Sequence, residues 1–277
     1  MFLIVEITAD KEGAWKVEDA LYELAPRGWE TVESQGVVTF KVYLKEGDPE
    51  IENIEKFLAK HPDLEVSYKG LKEENWAEIW KTNFRPLKVG KSLVILPPWE
   101  SYQPVASERT IIVEPAQAFG TGHHPTTQMM LEAIEEYFKD NPIPSKVLDL
   151  GCGTGILGIT CLKLSPNSQV WAIDIDEEAL KACKKNAKLN DVEDRIFVSS
   201  EFPKVSFDLI LANIGFRELE RLSKKIKDLS IPEKTDVFLS GILQEDLDAL
   251  EKVYLNLGFT RIKKRALKEW GFLWMRA

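Results

Sequence analysis

The stretch that most constrains this chain is Val147-Leu-Asp-Leu-Gly-Cys-Gly-Thr-Gly155, where an apolar strand runs straight into a glycine-rich turn. Val147, Leu148 and Leu150 supply the apolar run of a buried parallel strand, and Asp149 sits near its carboxyl end. Gly151, Gly153 and Gly155 let the backbone turn tightly and approach a ligand that any Cβ would push away. Ile156 to Leu164 follows as the first helix of a βαβ unit, its N-terminus aimed at that ligand. A glycine turn alone also fits phosphates and dinucleotides. A second strand, Trp171-Ala-Ile-Asp-Ile-Asp176, narrows the choice, because it brings in an acid, Asp174, 25 residues after Asp149. An acid at that edge accepts hydrogen bonds from both hydroxyls of a ribose. The expected ligand is therefore of the adenosine type.

The pattern D-x-G-x-G-x-G resembles class I methyltransferases that bind S-adenosylmethionine. The G-x-G-x-x-G of NAD-binding folds is not quite met, since Ile156 stands where its last glycine would be. A dinucleotide-dependent oxidoreductase stays open as a reading from a different class.

At 277 residues and 44% hydrophobic, the chain can bury a full core and is long enough for two domains. No run of 18 apolar residues exists, so no membrane span is expected. Met1-Phe-Leu-Ile-Val-Glu-Ile-Thr lacks a basic stretch and a small-residue cleavage site, and reads as a strand instead of a signal peptide. Cys152, Cys161 and Cys183 are an odd number of cysteines, which suits free thiols in a reducing cytoplasm. Net charge is −9, and residues 1 to 70 hold 15 acids against 8 bases, so most of the excess lies in the first quarter. Nucleic acid wants the opposite sign. A basic protein partner fits, and so does an acidic surface that serves only solubility.

The first seventy residues alternate in a definite order. Strands at Phe2–Ile7, Trp29–Ser34, Val37–Leu44 and Leu64–Tyr68 are separated by helices at Val17–Leu24 and Ile51–Lys60, giving β-α-β-β-α-β. That is the ferredoxin-like split βαβ arrangement. RNA-binding modules share it, but Val37-Val-Thr-Phe-Lys-Val-Tyr-Leu44 lacks their glycine-flanked aromatic signature. Glu73 to Thr82 reads as a linker helix carrying Trp76 and Trp80 on one face. Short strands follow at Lys91–Leu96 and Thr110–Val113. From Thr126 the pattern is steadily α/β, with helices at Met129–Phe138, Glu177–Leu189 and Gln244–Leu257. Strands are expected at Arg195–Val198, Leu209–Ala212, Val237–Ser240, Thr260–Leu267 and Phe272–Arg276. The expected fold is a Rossmann-like class I methyltransferase domain preceded by a small ferredoxin-like α+β domain. Its boundaries are 1–69 for the ferredoxin-like unit, 70–86 for the linker helix and 87–277 for the cofactor-binding domain.

Two further motifs carry chemistry. Glu114-Pro-Ala-Gln-Ala-Phe-Gly-Thr-Gly-His-His-Pro-Thr-Thr127 is a close-approach loop, with Thr126 and Thr127 placed to cap the helix after it. His123 and His124 are adjacent, so their side chains point apart, and the chain's other histidine is the distant His61. The cysteines lack C-x-x-C spacing, and no metal site is expected. Cys152 stands in a turn that needs small residues and has no evident base partner, which argues against a nucleophile. Phe207-Asp-Leu-Ile-Leu-Ala-Asn-Ile214 is an apolar strand ending in Asn213 at the carboxyl edge of the sheet, where open α/β folds place reacting groups. Its uncharged amide suits holding an amine near a sulfonium, and a turn-forming asparagine is the plainer alternative.

On these residues the chain resembles the ribosomal protein L11 methyltransferase family (PrmA type). The resemblance rests on Trp76 and Trp80 with Phe84 and Pro86, on Phe119-Gly-Thr-Gly-His-His-Pro-Thr-Thr127, and on Leu148 through Leu157. Asp174-Ile-Asp176, Asn186-Ala-Lys-Leu-Asn190, Ala212-Asn-Ile214, Ser240-Gly-Ile-Leu243 and Glu269-Trp270 follow in the family's order. It implies a cytoplasmic, S-adenosylmethionine-dependent enzyme that methylates lysine side-chain or N-terminal amines of a basic large-subunit ribosomal protein. The implied cofactor contacts are Thr127, Gly151, Asp174 and Asn213, to which the glycine turn adds Gly153. The ferredoxin-like domain is implied to recognise the substrate. One departure concerns the acceptor pocket: the run Asn213-Ile-Gly-Phe-Arg-Glu-Leu219 has no proline where the family usually carries a proline-leucine pair. That leaves room for another protein or a small amine as acceptor. No catalytic base is evident in any motif.

Overall fold

The computed structural model describes residues 2–25, 29–34, 36–45, 47–62, 64–71, 85–114 and 122–277. The linker helix expected over Glu73–Thr82 and residues 115–121 of the histidine loop lie outside them. The chain divides into two compact units, Met1–Phe84 and Arg85–Ala277.

The first unit has the expected element order, with strands β1 (Phe2–Asp10), β2 (Trp29–Ser34), β3 (Val37–Lys45) and β4 (Glu65–Leu71) and helices α1 (Lys11–Leu24) and α2 (Pro49–Leu58). The sheet order is β2-β3-β1-β4, with every neighbouring pair antiparallel, as the split βαβ arrangement requires. Alternation in β3 turns Val38, Phe40, Val42 and Leu44 inward. They meet Val5 and Ile7 of β1, Val17 and Leu21 of α1 and Ile54 of α2 in one apolar cluster. Helix α1 starts earlier than its apolar spacing suggests, because the Asp10 carboxylate accepts the Gly13 N–H at 2.7 Å and caps it. Pro49 opens α2, with Glu50 and Glu52 in the first turn and Lys56 in the last, all favourable to the helix dipole.

The second unit begins with a small three-stranded sheet, β5 (Leu87–Val89), β6 (Leu93–Leu96) and β7 (Arg109–Ile112). Its main body is a seven-stranded sheet built from β8 (Lys146–Leu150), β9 (Gln169–Ile173), β10 (Ile196–Ser199), β11 (Leu209–Asn213), β12 (Asp236–Leu243), β13 (Thr260–Leu267) and β14 (Trp270–Arg276). The order is β10-β9-β8-β11-β12-β14-β13. The first five strands are parallel, and the β13–β14 hairpin closes the sheet antiparallel. This is the class I methyltransferase architecture. Chain direction across the sheet reverses between β8 and β11, and open α/β sheets bind ligands outside the carboxyl ends of their strands at such a switch.

Helices α3 (Pro125–Asp140), α4 (Ile156–Leu164), α5 (Glu177–Leu189), α6 (Phe216–Asp228) and α7 (Leu247–Asn256) cover the sheet. Helix α4 is buried almost all round, which is why its sequence is apolar without a polar stripe. Two elements go beyond the sequence reading: β5 and helix α6. The stretch read as one helix from Gln244 divides into a short 3₁₀ turn, Gln244–Asp246, and α7.

Candidate active site

Strand β8 delivers the glycine turn to the switch point. The Gly151 and Cys152 N–H groups both donate to the Ile173 carbonyl, at 2.8 and 3.0 Å, so the turn is stitched to the end of β9. Gly151, Gly153 and Gly155 have φ of +70°, +52° and +79°, a region that L side chains rarely adopt. Gly155 also packs against Cys183 of α5, where an added Cβ would lie 2.6 Å from the sulfur. Glycine is thus required at all three positions by backbone conformation, and at Gly155 also by packing within the protein.

Asp174 follows β9 directly. One of its carboxylate oxygens accepts the Gly153 N–H at 2.9 Å and the other the Asp176 N–H at 3.1 Å. The carboxylate is therefore fixed at the edge of the turn, with lone pairs left over for hydroxyl donors. Asp176 in turn caps α5, accepting the Glu178 N–H at 2.9 Å. Asn213 ends β11 next to β8, and its amide nitrogen donates to Thr127 Oγ1 at 3.4 Å. Its Oδ1 is buried with no hydrogen-bond partner. A buried, unsatisfied amide oxygen is uncommon and calls for an explanation.

These residues surround a cavity of about 600 Å³, within the size range of cofactor sites. Gly151, Gly153, Asp174 and Asn213 all line it. Thr127 is buried beside it, joined through Asn213. Sequence reasoning did not assign Ile175, Phe202, Glu218, Arg221, His124 and Trp270 to this cavity, yet they line it as well. Ile175 is 92% exposed, an apolar side chain held at the cavity with little else to cover it. Its place directly after Asp174 was the available signal.

The helix after the histidine loop is capped differently from expectation. His124 is the N-cap of α3, its Nδ1 lying 2.7 Å from Thr126 Oγ1, while Thr126 and Thr127 belong to the first turn and are buried. The His124 ring meets Trp270 edge-on, with centroids 4.6 Å apart. Burial pushes the His124 pKa below its ordinary value, against the pull of Glu269. Beneath the turn, Asp149 is fully buried; its Oδ2 accepts the Gly158 N–H at 2.9 Å and its Oδ1 has no hydrogen-bond partner. Burial raises its pKa to about 7, opposed by the Gly158 bond and assisted by the nearby Asp174 charge. The Cys152 thiol is pushed up by its contact with Cys183 and by burial, which keeps it protonated. Among the described residues no three His, Cys, Asp or Glu side chains gather as metal ligands would, and no helix is long and apolar enough to cross a membrane.

Residues 4–277 match the family described as ribosomal protein L11 methyltransferase (PrmA). The chain belongs to that family. Among curated relatives, the ribosomal protein L11 methyltransferase of Geotalea uraniireducens is 35% identical over 270 residues, covering 89% of this chain and 85% of the relative. That of Oceanobacillus iheyensis is 33% identical over 282 residues, covering 97% and 87%. Among solved structures, the ribosomal protein L11 methylase of Lactobacillus delbrueckii subsp. bulgaricus superposes with a TM-score of 0.63 at 31% identity, over 69% of this chain and 98% of that one. Membership decides between the two nucleotide readings left open by the glycine turn. The chain is a methyltransferase, and its methyl donor is S-adenosylmethionine.

Proposed function

We propose that this chain transfers methyl groups from S-adenosylmethionine to amino groups of ribosomal protein L11, on lysine side chains, the N-terminus or both, in the cytoplasm. The observation that carries the reading is the meeting of Gly151, Gly153, Asp174 and Asn213 at one switch-point cavity, in a chain that matches this family almost end to end.

The residues present fit the donor. A cradle of positive-φ glycines leaves room for close backbone approach, Asp174 offers carboxylate oxygens to ribose hydroxyls, and Asn213 holds an unpartnered amide oxygen inside the cavity wall. Thr127 fixes the other end of the Asn213 amide. When bound, the cofactor supplies an activated methyl that needs no nucleophilic side chain. The protein's work is then positioning, and an in-line displacement gains most of its help that way. The obstacle is the acceptor proton. A free lysine with a pKa of about 10.4 is neutral in only about one molecule in 2,500 at pH 7. An apolar wall lowers that pKa by desolvation. Asn213 offers an uncharged acceptor to an incoming amine and so orients its lone pair without holding it protonated.

Residues 1–69, within the first unit, are assigned to substrate recognition, residues 70–86 to a linker helix and 87–277 to catalysis. Support for the recognition role is the excess of acids over bases in residues 1–70, which complements a basic ribosomal protein. Ribosomal proteins from wild-type and deletion cells, compared by mass spectrometry, test the reading. L11 should lose methyl groups in the deletion strain, and an unchanged L11 accompanied by a loss elsewhere would assign the enzyme to another acceptor.

A further inference from the structure

Helix α5 and its C-cap carry a stripe of four small or polar residues, two of them asparagines that the reading above leaves without a role. Ala179, Cys183, Asn186 and Asn190 follow one another at helical spacing and are all buried. Ala179 lines the cavity and Cys183 packs on Gly155. Asn186 makes two bonds in opposite directions. Its Nδ2 donates to the Thr154 carbonyl of the glycine turn at 2.9 Å, and its Oδ1 accepts the Glu114 N–H at 2.9 Å. Asn190 clips the strand just before, accepting the Ile112 N–H at 2.8 Å and donating to the Ile112 carbonyl at 2.6 Å. Lys185 and Glu114 form an ion pair beside this clip.

We propose that Asn186 is a positioning residue for the cofactor turn, tying the Thr154 carbonyl and the Glu114 amide to one buried side chain. The inference rests on the assignment of S-adenosylmethionine to this cavity. The physical argument concerns one peptide plane. The Thr154 carbonyl and the Gly155 N–H belong to the same rigid trans peptide. Gly155 donates that N–H to the Cys152 carbonyl at 2.8 Å, while Asn186 holds the carbonyl end. The plane is thereby pinned at both ends, next to glycines on either side of Thr154 that would otherwise sample many conformations. Asp174 pins the preceding Gly153 N–H in the same way. A turn held in its binding shape before the ligand arrives avoids the cost of ordering it afterwards. Asn186 acts through the turn; it does not line the cavity.

Asn190, the C-cap of α5, provides the comparison: it is equally buried, its Nδ2 bonds Ile112 and also the Asn186 carbonyl at 2.7 Å, and it makes no hydrogen bond to the turn. The test uses the full chain, with calorimetric binding of S-adenosylhomocysteine, thermal melting of the cofactor-free protein, and steady-state kinetics. Asn186→Ala should weaken binding by about tenfold or more and raise the KM for S-adenosylmethionine, while kcat at saturating cofactor stays within about threefold. Asn190→Ala should lower the melting temperature by a similar amount but keep cofactor affinity within about twofold. Asn186→Asp is isosteric, keeps the acceptor for Glu114 and loses the donor to Thr154. It should bind as weakly as Asn186→Ala, and it decides the matter if the alanine variant does not fold. Wild-type affinity in either Asn186 variant, or equal weakening in Asn190→Ala, would overturn the positioning role. Failure of the wild-type protein to bind S-adenosylhomocysteine would instead overturn the cofactor assignment.

Discussion

The two units solve different problems with their interiors. Among the described residues, the first unit's core is a single apolar cluster around Phe40, while the second unit buries a series of whole polar residues from Thr126 onward. Burying a polar group is costly unless it is bonded, so a core with no site to build gains nothing by it. The second unit buries Asp149, Thr127 and Asn186 around the turn it must hold in shape, and leaves Asn213 Oδ1 and Asp149 Oδ1 without partners. Charge divides in the opposite sense, with most of the net negative charge on the first unit's residues.

The strongest challenge to this division is a core deletion in the first unit. Phe40 is 1% exposed at the centre of its cluster, and Phe40→Ala should cost about 3–5 kcal/mol. Urea unfolding should show the loss while calorimetric cofactor affinity stays at the wild-type value. A matching fall in affinity would mean that the units are not separable. Asp174→Ala should do the reverse, removing one or two charge-assisted hydrogen bonds worth roughly 1.5–3 kcal/mol each to the cofactor. Calorimetry that finds unchanged affinity would remove Asp174 from the site.

Within the second unit, Asn213→Ala should lower turnover more than it weakens the cofactor, because the contact matters most in the transition state. A loss of about 10–100-fold in kcat corresponds to roughly 1.4–2.7 kcal/mol. Wild-type turnover would reduce Asn213 to a turn residue.

A finer prediction concerns Asp149, whose folded pKa is raised from 3.8 to about 7 by burial. Between those values the folded protein binds a proton that the unfolded chain has released, so stability falls as pH rises. The contribution is fully present below about pH 4 and is lost as pH rises through about 7. Chemical denaturation of the cofactor-free protein should show that fall in the wild type and a flatter profile in Asp149→Asn. Parallel profiles would mean that Asp149 titrates alike in the folded and unfolded chain.

Much of this was legible in the sequence because it was written locally. The alternation in Val37–Lys45, the glycine turn and the apolar ends of β8, β9 and β11 each announce themselves within a few residues. Helix α6 was harder to read, since its inward stripe is only Leu219, Ser223 and Ile226, set among charged residues and interrupted by a hydroxyl. Strand β5 is three residues long, too short to show a period. The cap of α3 was misassigned because histidine is an unusual N-cap and two threonines stood nearby. The Asn186 and Asn190 clips could not be read at all. Their backbone partners Glu114 and Ile112 are 72 and 78 residues away, and only the fold brings them together.

The central claim is that this chain methylates L11 amines at the cavity beyond the carboxyl ends of β8, β9 and β11. It is tested most directly by incubating purified L11 and S-adenosylmethionine with the full chain and weighing the product by mass spectrometry. The wild-type protein should add whole methyl increments that peptide mapping locates on lysine side chains or the N-terminal amine, and Asp174→Ala should lose them at limiting cofactor. L11 recovered without added methyl groups, or methylated equally well by Asp174→Ala, would contradict the account.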